Sequence, residues 1–290
     1  MSRNYDEEQN NRNRSGYQSY NQGNYNQGNY SQSNYNQGNY QDYDQNNYQQ
    51  GFPPGGSVPS MWPSQEELSR AVSSCLNRVF LRMFAALLVT AAVAYAVATS
   101  YSLQVFVFGN IAVFYALIIA ELALVILISF RINKLSPAVA NTMFFLYAII
   151  NGMTLSVIFL VYEIGIIYHA FAVSALMFAA MALFGAATKR DLSSIGSLCI
   201  MGLFGIILAS VVNIFLRNEM LDMMVCYIGV FIFIGLTAYD TQRIKRMLGE
   251  ANAMSHEVAI QRVSVIGALT LYLDFINLFL KLLRIMGRKR

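Results

Sequence analysis

Residues 83–120 contain no Asp, Glu, Lys or Arg, and most of their side chains are apolar or small. A helix that crosses a bilayer needs about 20 apolar residues, so this stretch is too long for a single crossing. The polar sequence TSYSLQ interrupts the stretch and divides it into predicted spans near residues 80–101 and 105–130. The apolar part of the chain therefore begins with two consecutive membrane crossings.

Apolar runs continue to the end of the chain, at residues 138–162, 164–188, 193–216, 223–242 and 260–284. Charged residues make up 12% of the chain, against the ~25% usual in soluble globular proteins. Open strands would leave backbone groups unpaired in lipid, so the crossing elements must be helices. The sequence predicts an all-α, polytopic membrane protein, a bundle of seven transmembrane helices.

The first part of the chain has a different composition. Residues 1–60 are rich in Asn, Gln, Tyr, Gly and Ser and cannot bury enough apolar surface to offset the entropy lost on folding, which predicts a disordered arm. Residues 61–79 are predicted to form a juxtamembrane amphipathic helix, in which Ser64 and Glu67 have the spacing of a capping box. The membrane domain then occupies residues 80–290.

Lysine and arginine predict the orientation in the membrane, because cytoplasmic loops carry an excess of both. One side of the predicted bundle collects Arg70, Arg78, Arg131, Lys134, Lys189, Arg190, Arg243, Lys245 and Arg246, and the opposite loops collect only Arg217. The N-terminus is therefore expected in the cytoplasm. Seven full crossings would place the basic tail GRKR outside, whereas a seventh helix that crosses only partly would not. The sequence leaves these alternatives open.

An aspartate, Asp274, lies within the last apolar run. It belongs to a polar stripe at spacings of three and four residues, which places all members on one helical face: Gly267, Thr270, Asp274, Asn277, Lys281 and Arg284. An ionisable residue in a transmembrane helix is costly and usually faces the bundle interior or water. The stripe predicts either a polar seam that joins helices or, given its carboxylate and its cations, an ion path or a titrating switch.

A second aspartate, Asp240, ends the sixth apolar run. By itself it is equally consistent with a helix-end charge that pairs with Arg243. Glu257 lies midway between Asp240 and Asp274, inside the polar connection predicted at residues 241–262. Two antiparallel helices joined there would bring both aspartates to about the same depth. Two carboxylates in contact cannot both ionise cheaply, so the pair is expected to share a proton and to titrate as a unit.

Glu121 and Arg131 occupy the second apolar run. They are ten residues apart, or roughly 15 Å along a helix, so they cannot pair with each other. Arg131 either reaches the aspartates or anchors its helix at the membrane surface. Glu121 is either part of the same site or a packing residue that a hydrogen bond keeps neutral.

Three segments resemble the Bax inhibitor family: AYDTQRIK at 238–245, LYLDFINLFLKLLR at 271–284 and KLSPAVANTMFFLYAIINGMTLSVIF at 134–159. The resemblance covers about residues 70–286. It implies that the last helix is enclosed by the other six and that the protein is a pH-sensitive calcium leak channel.

The same resemblance implies roles for individual residues. Asp240 and Asp274 would form the pH sensor and the transient site for calcium or another cation. A basic residue at the end of the second helix would latch the pair, with Arg131 and Lys134 as rival candidates. Glu121, Thr270 and Asn277 are the other candidates for the latch or the pore lining.

Two other functions remain as alternatives. A non-transporting regulator that binds a membrane protease or a cell-death or stress complex would account for the arm but leave the polar stripe without a role. An intramembrane zinc hydrolase needs about three protein ligands, and the chain has only two histidines, His169 and His256. We therefore expect no enzyme and no cofactor, with calcium as a transported ion.

The resemblance also bears on location. Bacterial members of the family lie in the plasma membrane, some of them with a membrane-bound protease, and eukaryotic members lie in the endoplasmic reticulum or other organelles. A bacterial plasma membrane is the favoured location. The net charge of +4 is small and says little about partners, and no nucleic-acid partner is expected.

Overall fold

The computed structural model describes residues 64–253 and 256–288, so the arm predicted at residues 1–60 lies outside the described residues. Within these ranges the backbone forms helices and no strand. The helices are α1 (Gln65–Thr99), α2 (Tyr101–Phe108), α3 (Ile111–Arg131), α4 (Pro137–Leu155), α5 (Ile158–Val161), α6 (Ile164–Ala187), α7 (Ser193–Leu216), α8 (Glu219–Ala253) and α9 (Glu257–Gly287).

Seven of the helical segments in the described part of the chain are long and apolar enough to cross a membrane. The predicted number of spans is confirmed. The second span begins later than predicted, because the short helix α2 ends at Gly109 and Asn110 starts a new helix. The side chain of Asn110 accepts a hydrogen bond from the amide of Ala112 at 2.9 Å and so caps α3.

Helix α1 joins the predicted amphipathic segment to the first span without a break. The predicted capping box is confirmed: the Glu67 amide donates to Oγ of Ser64 at 3.2 Å, and the Ser64 amide donates to the Glu67 carboxylate at 2.8 Å. Its 35 residues correspond to about 52 Å, well beyond the ~30 Å hydrocarbon layer. The first turns of α1 therefore extend out of the membrane.

Helix α8 corrects the prediction of a long polar connection at residues 241–262. The helix continues to Ala253, and α9 begins at Glu257. A helix can continue beyond the membrane through polar residues. Only the short segment between Ala253 and Glu257 connects the two helices. Asp240 and Asp274 are both helical and lie on opposite sides of this turn.

Helix α9 lies at the centre of the bundle. In its most apolar window 67% of the residues are buried, against 44% for α8 and 6% for α3 and α7. It packs against α8, α1, α6 and α4. The prediction that the last helix is enclosed is confirmed.

The last helix also crosses the bundle completely. Nε of Arg284 lies 2.9 Å from a carboxylate oxygen of Asp222, and Arg288 pairs with Glu219, at the start of α8. Gly287 packs against the ring of Tyr162, next to the start of α6. The C-terminal end of α9 and the N-terminal end of α1 therefore lie at opposite ends of the bundle. The last helix does not stop partway through the bundle.

Candidate functional site: a carboxyl pair beside a cavity in the bundle

Two glycines set the position of α8 around Asp240. A Cβ atom at Gly185 of α6 would overlap the backbone carbonyl oxygen of Ala238, and one at Gly235 would press on Sγ of Cys199 in α7. Only glycine permits such close approach of one backbone to another helix. Asp240 is thereby placed on a helix packed tightly between α6 and α7.

Asp240 and Asp274 are brought together by the α8–α9 hairpin. Both residues are buried, at 8% and 6% exposure, and their carboxyl groups lie beside each other. Oδ2 of Asp274 finds no hydrogen-bond donor among the described residues. A carboxylate offers only acceptors, so a hydrogen bond between the two groups would require a proton on one of them. The midpoint argument from sequence thus located the pair, although α8 is longer than it assumed.

The pair lines a cavity of about 590 Å³ between α7, α8 and α9. Four members of the polar stripe contribute to its wall: Thr270, Asp274, Asn277 and Lys281. Of the other two members, Gly267 faces Ile244, and Arg284 pairs with Asp222. The α7 side of the cavity is apolar apart from Ser210.

Two cations lie in the cavity wall on either side of the pair. Arg243 is one helical turn from Asp240, towards the end of the bundle where α1 begins. Lys281 is two turns from Asp274, towards the opposite end, and its aliphatic stem packs on Gly229. No ion pair of either residue is found in the described part of the chain. The carboxyl pair therefore lies between two positive charges along the cavity.

The predicted contact of the aspartates with Arg131 or Lys134 is absent from this structure. Both side chains are exposed, at the end of α3 and in the turn that follows. Helix α3 lies at the periphery and packs chiefly on α4 and α2, whereas the pair lies between α7, α8 and α9. Arg243 is the basic residue that the structure places next to Asp240.

Glu121 belongs to a different polar cluster. Its carboxylate accepts hydrogen bonds from Oγ1 of Thr154 at 2.6 Å and from Nδ2 of Asn151 at 3.3 Å. The hydroxyl of Tyr272 donates to Oδ1 of Asn151 at 2.9 Å and lies 2.7 Å from Oγ1 of Thr90. These contacts join α1, α3, α4 and α9 on the face of α9 away from Asp274.

Sequence reasoning did not single out Tyr272 or Thr90. Tyr272 is fully buried, and a buried tyrosine hydroxyl usually has a hydrogen-bond partner. The signal was present, because a tyrosine occurs in the most buried helix beside Asp274. Its partners lie on other helices and could not be chosen from spacing alone.

The cavity offers fewer oxygen ligands than calcium usually takes in a protein site. Calcium takes six to eight oxygen ligands in protein sites. The cavity offers two carboxyl groups, the hydroxyl of Thr270 and the amide of Asn277, whose nitrogen is engaged by the carbonyl of Leu273 at 2.8 Å. No group of three or more His, Cys, Asp or Glu residues that could hold a metal occurs among residues 64–253 and 256–288.

Comparisons with known proteins converge on one family. A sequence model of the family described as "Inhibitor of apoptosis-promoting Bax1" matches residues 72–290. The chain is 50% identical over 215 residues to the inner membrane protein YbhL of Escherichia coli strain K12. The aligned residues cover 74% of this chain and 92% of YbhL. It is 42% identical over 216 residues to a protein of Borreliella burgdorferi, covering 74% and 92% of the two chains. A protein of Deinococcus radiodurans is 39% identical over 222 residues, which cover 77% of this chain and 94% of that protein.

Proposed function

Because this chain belongs to the Bax inhibitor family, we propose that it is a pH-sensitive calcium leak channel of a bacterial inner membrane. It is a multi-pass integral membrane protein with seven candidate crossings in its described part. One observation carries the proposal. Two buried carboxyl groups, those of Asp240 and Asp274, lie beside each other in the wall of one cavity within the helical bundle.

Protonation of the pair changes the charge of the cavity stepwise. With one shared proton the pair carries one negative charge, which is less than the two positive charges of Arg243 and Lys281. Loss of that proton balances the two cations and provides two anionic ligands for a divalent ion. Gain of a second proton removes the attraction between Asp240 and Arg243. The pair thus controls both the binding of a cation and the contact with a neighbouring basic residue.

The channel is proposed to lie with its N-terminal end in the cytoplasm. The end where α1 begins also holds the α3–α4, α6–α7 and α8–α9 connections. Most of the described lysines and arginines lie there, including Lys134, Lys189 and Lys245. The positive-inside rule then places this end in the cytoplasm.

Calcium flux into proteoliposomes across a pH series tests the proposal. Wild-type protein should give a flux that changes with pH around a midpoint set by the pair. Asp274→Asn keeps the size of the side chain but removes one titrating group, so the midpoint should move or the pH dependence should be lost. Asp240→Asn should have the same effect, because the two carboxyl groups titrate as one unit.

Glu250→Gln is the matched control, since Glu250 is an exposed carboxylate on the same helix as Asp240 and lies outside the cavity wall. It should leave the flux and its midpoint unchanged. If Asp274→Asn matched wild type in both respects, the channel mechanism would be wrong. Absence of flux from folded wild-type protein would favour the non-transporting regulator.

A further inference from the structure

A groove separate from the carboxyl pair lies at the end of the bundle where α1 begins. It has a volume of about 560 Å³ and is formed by the first turns of α1, the α6–α7 connection and the last part of α8. Three basic side chains line it, Lys189, Lys245 and Arg246, together with the carboxylate of Asp191. The wall therefore carries more positive than negative charge.

The loop that carries Lys189 is braced by α8. Oε1 of Gln242 accepts a hydrogen bond from the Leu192 amide at 2.9 Å, and Nε2 of Gln242 donates to the carbonyl of Arg190 at 2.7 Å. Nζ of Lys245 donates to the carbonyl of Ala186, at the end of α6, at 2.6 Å. The Lys245 ammonium group and the backbone of the loop that carries Lys189 are thus held in place before any ligand arrives, which lowers the cost of binding.

The one acidic side chain of the groove is already compensated. Asp191 accepts hydrogen bonds from the hydroxyl and the amide of Ser193 at 2.7 and 3.1 Å and pairs with Arg246 at 3.1 Å. The Ser193 and Arg246 contacts hold the pKa of Asp191 below its ordinary value, so the group is ionised at neutral pH. Lys189 is exposed, and no partner for its ammonium group is found within the described residues. Lys189 and Lys245 remain as the uncompensated charges.

The depth and the apolar wall of the groove indicate the kind of anion. The α6 and α7 spans end at Ala187 and begin at Ser193, so the loop between them lies at the level of lipid headgroups. Leu68 and Val72 of α1 form an apolar part of the wall. A soluble anion would not need this surface, whereas a phospholipid has apolar chains next to its phosphate. Basic pockets between transmembrane helices are sites at which anionic headgroups bind.

We propose that this groove binds the phosphate headgroup of an anionic phospholipid through Lys189 and Lys245. The site does not depend on the proposed channel function, because it shares no residue with the cavity at Asp240 and Asp274. A lipid bound there would bridge α1, α6 and α8 and stabilise their packing at this end of the bundle.

Native mass spectrometry of the full chain in detergent at pH 7 tests the site, with phosphatidylglycerol as the probe and phosphatidylcholine as the zwitterionic reference. Wild type should retain phosphatidylglycerol in preference to phosphatidylcholine. Lys189→Gln should weaken phosphatidylglycerol binding about fivefold, the order expected for one basic residue at an anionic surface. Lys189→Gln with Lys245→Gln should weaken it further.

Lys134→Gln is the matched control, because Lys134 is an exposed lysine at the same end of the bundle but outside the groove. It should bind like wild type. An equal loss in this variant would show diffuse surface attraction and overturn the site. Complete competition by inorganic phosphate, with no preference between the two lipids, would show a free-anion site and also overturn the proposal. Lys189 makes no contact that folding needs, so unchanged circular dichroism of Lys189→Gln makes any loss of binding interpretable.

Discussion

The carboxyl group of Asp274 is tolerated at membrane depth because its surroundings reduce the cost of burial. Placing an isolated charged side chain in the hydrocarbon layer costs roughly several kcal/mol. Here the side chain faces another carboxyl group and a cavity, and Arg243 and Lys281 lie along the same wall. A proton shared between the two carboxyl groups would lower the charge that must be buried. The proposed pH sensing rests on the same arrangement.

Lys281 is expected to limit cation flux. It lines the cavity about 10 Å along the helix from Asp274, without an ion pair in the described part of the chain. Its charge repels a divalent ion by a few kcal/mol, roughly, at an effective dielectric constant of about 20. Lys281→Gln should therefore raise calcium flux at least about fivefold in the proteoliposome assay. Lys134→Gln removes the same charge from an exposed position and should not change the flux; a Lys281→Gln flux equal to wild type would count against the path.

Tyr272 is expected to contribute to stability and not to pH sensing. Its hydroxyl joins Thr90 and Asn151 on the face of α9 away from Asp274. Tyr272→Phe leaves Oδ1 of Asn151 without its donor, which costs about 1–3 kcal/mol, whereas Thr90 keeps its bond to the carbonyl of Ala148. Thermal unfolding in detergent should show a lower midpoint temperature, while the pH midpoint of flux stays as in wild type. A shift of the pH midpoint would mean that the two polar clusters communicate through α9.

The pairing of Asp240 with Asp274 could be predicted, whereas the position of Arg131 could not. Adjacent helices of a hairpin have a register that follows from their sequence separation, so depth can be compared residue by residue. Arg131 lies on α3, and nothing in the sequence states which helices α3 packs against. In the structure it packs chiefly on α4, away from the pair. Arg243 lies three residues after Asp240, and the sequence indicates it as the local partner of a helix-end aspartate.

The contact of α8 with α6 fixes the position of α8. A substitution at this contact is expected to change both the stability of the bundle and the pH dependence of flux. Gly185→Ala would force a methyl group onto the carbonyl of Ala238, two residues from Asp240. Overpacking of this kind costs about 1–3 kcal/mol and moves backbone. We expect a lower thermal midpoint together with an altered pH midpoint of flux.

Gly165→Ala provides the control on the same helix. A Cβ atom at Gly165 meets nothing within 4 Å, so the substitution should be neutral or slightly stabilising. If Gly185→Ala behaved like Gly165→Ala, the close approach of α6 to α8 would not determine the position of Asp240.

The apolar runs predicted the helix bounds correctly where a helix ends at the membrane surface. They did not predict the bounds of helices that continue beyond the membrane. The spans at 164–188 and 193–216 agree within one residue with α6 and α7, which begin and end at the membrane surface. Helices α1 and α8 continue into water, where amphipathic packing replaces uniform apolarity as the signal. The break at Gly109 was missed because the residues on both sides are apolar and only the cap at Asn110 separates two helices.

The bundle places its helices according to their polarity. Helices α3 and α7 have almost no buried residues in their apolar windows and present Leu, Ile and Phe to lipid. Helix α9 carries the polar stripe on one side and Tyr272 on another, and it is the most enclosed. Apolar surface gains nothing from burial in a lipid environment, whereas polar groups do, so the most polar span occupies the centre.

The full crossing by α9 predicts that the two ends of the membrane domain lie on opposite sides of the membrane. This conflicts with a simple reading of the basic tail, but Arg284 and Arg288 are paired with Asp222 and Glu219 at that end. The opposite end of the bundle carries more lysine and arginine, so the positive-inside preference of its loops prevails. A reporter active only in the periplasm, fused after residue 290, should be active, and one fused before residue 64 should be inactive. An inactive C-terminal reporter in wild type would contradict the seven complete crossings.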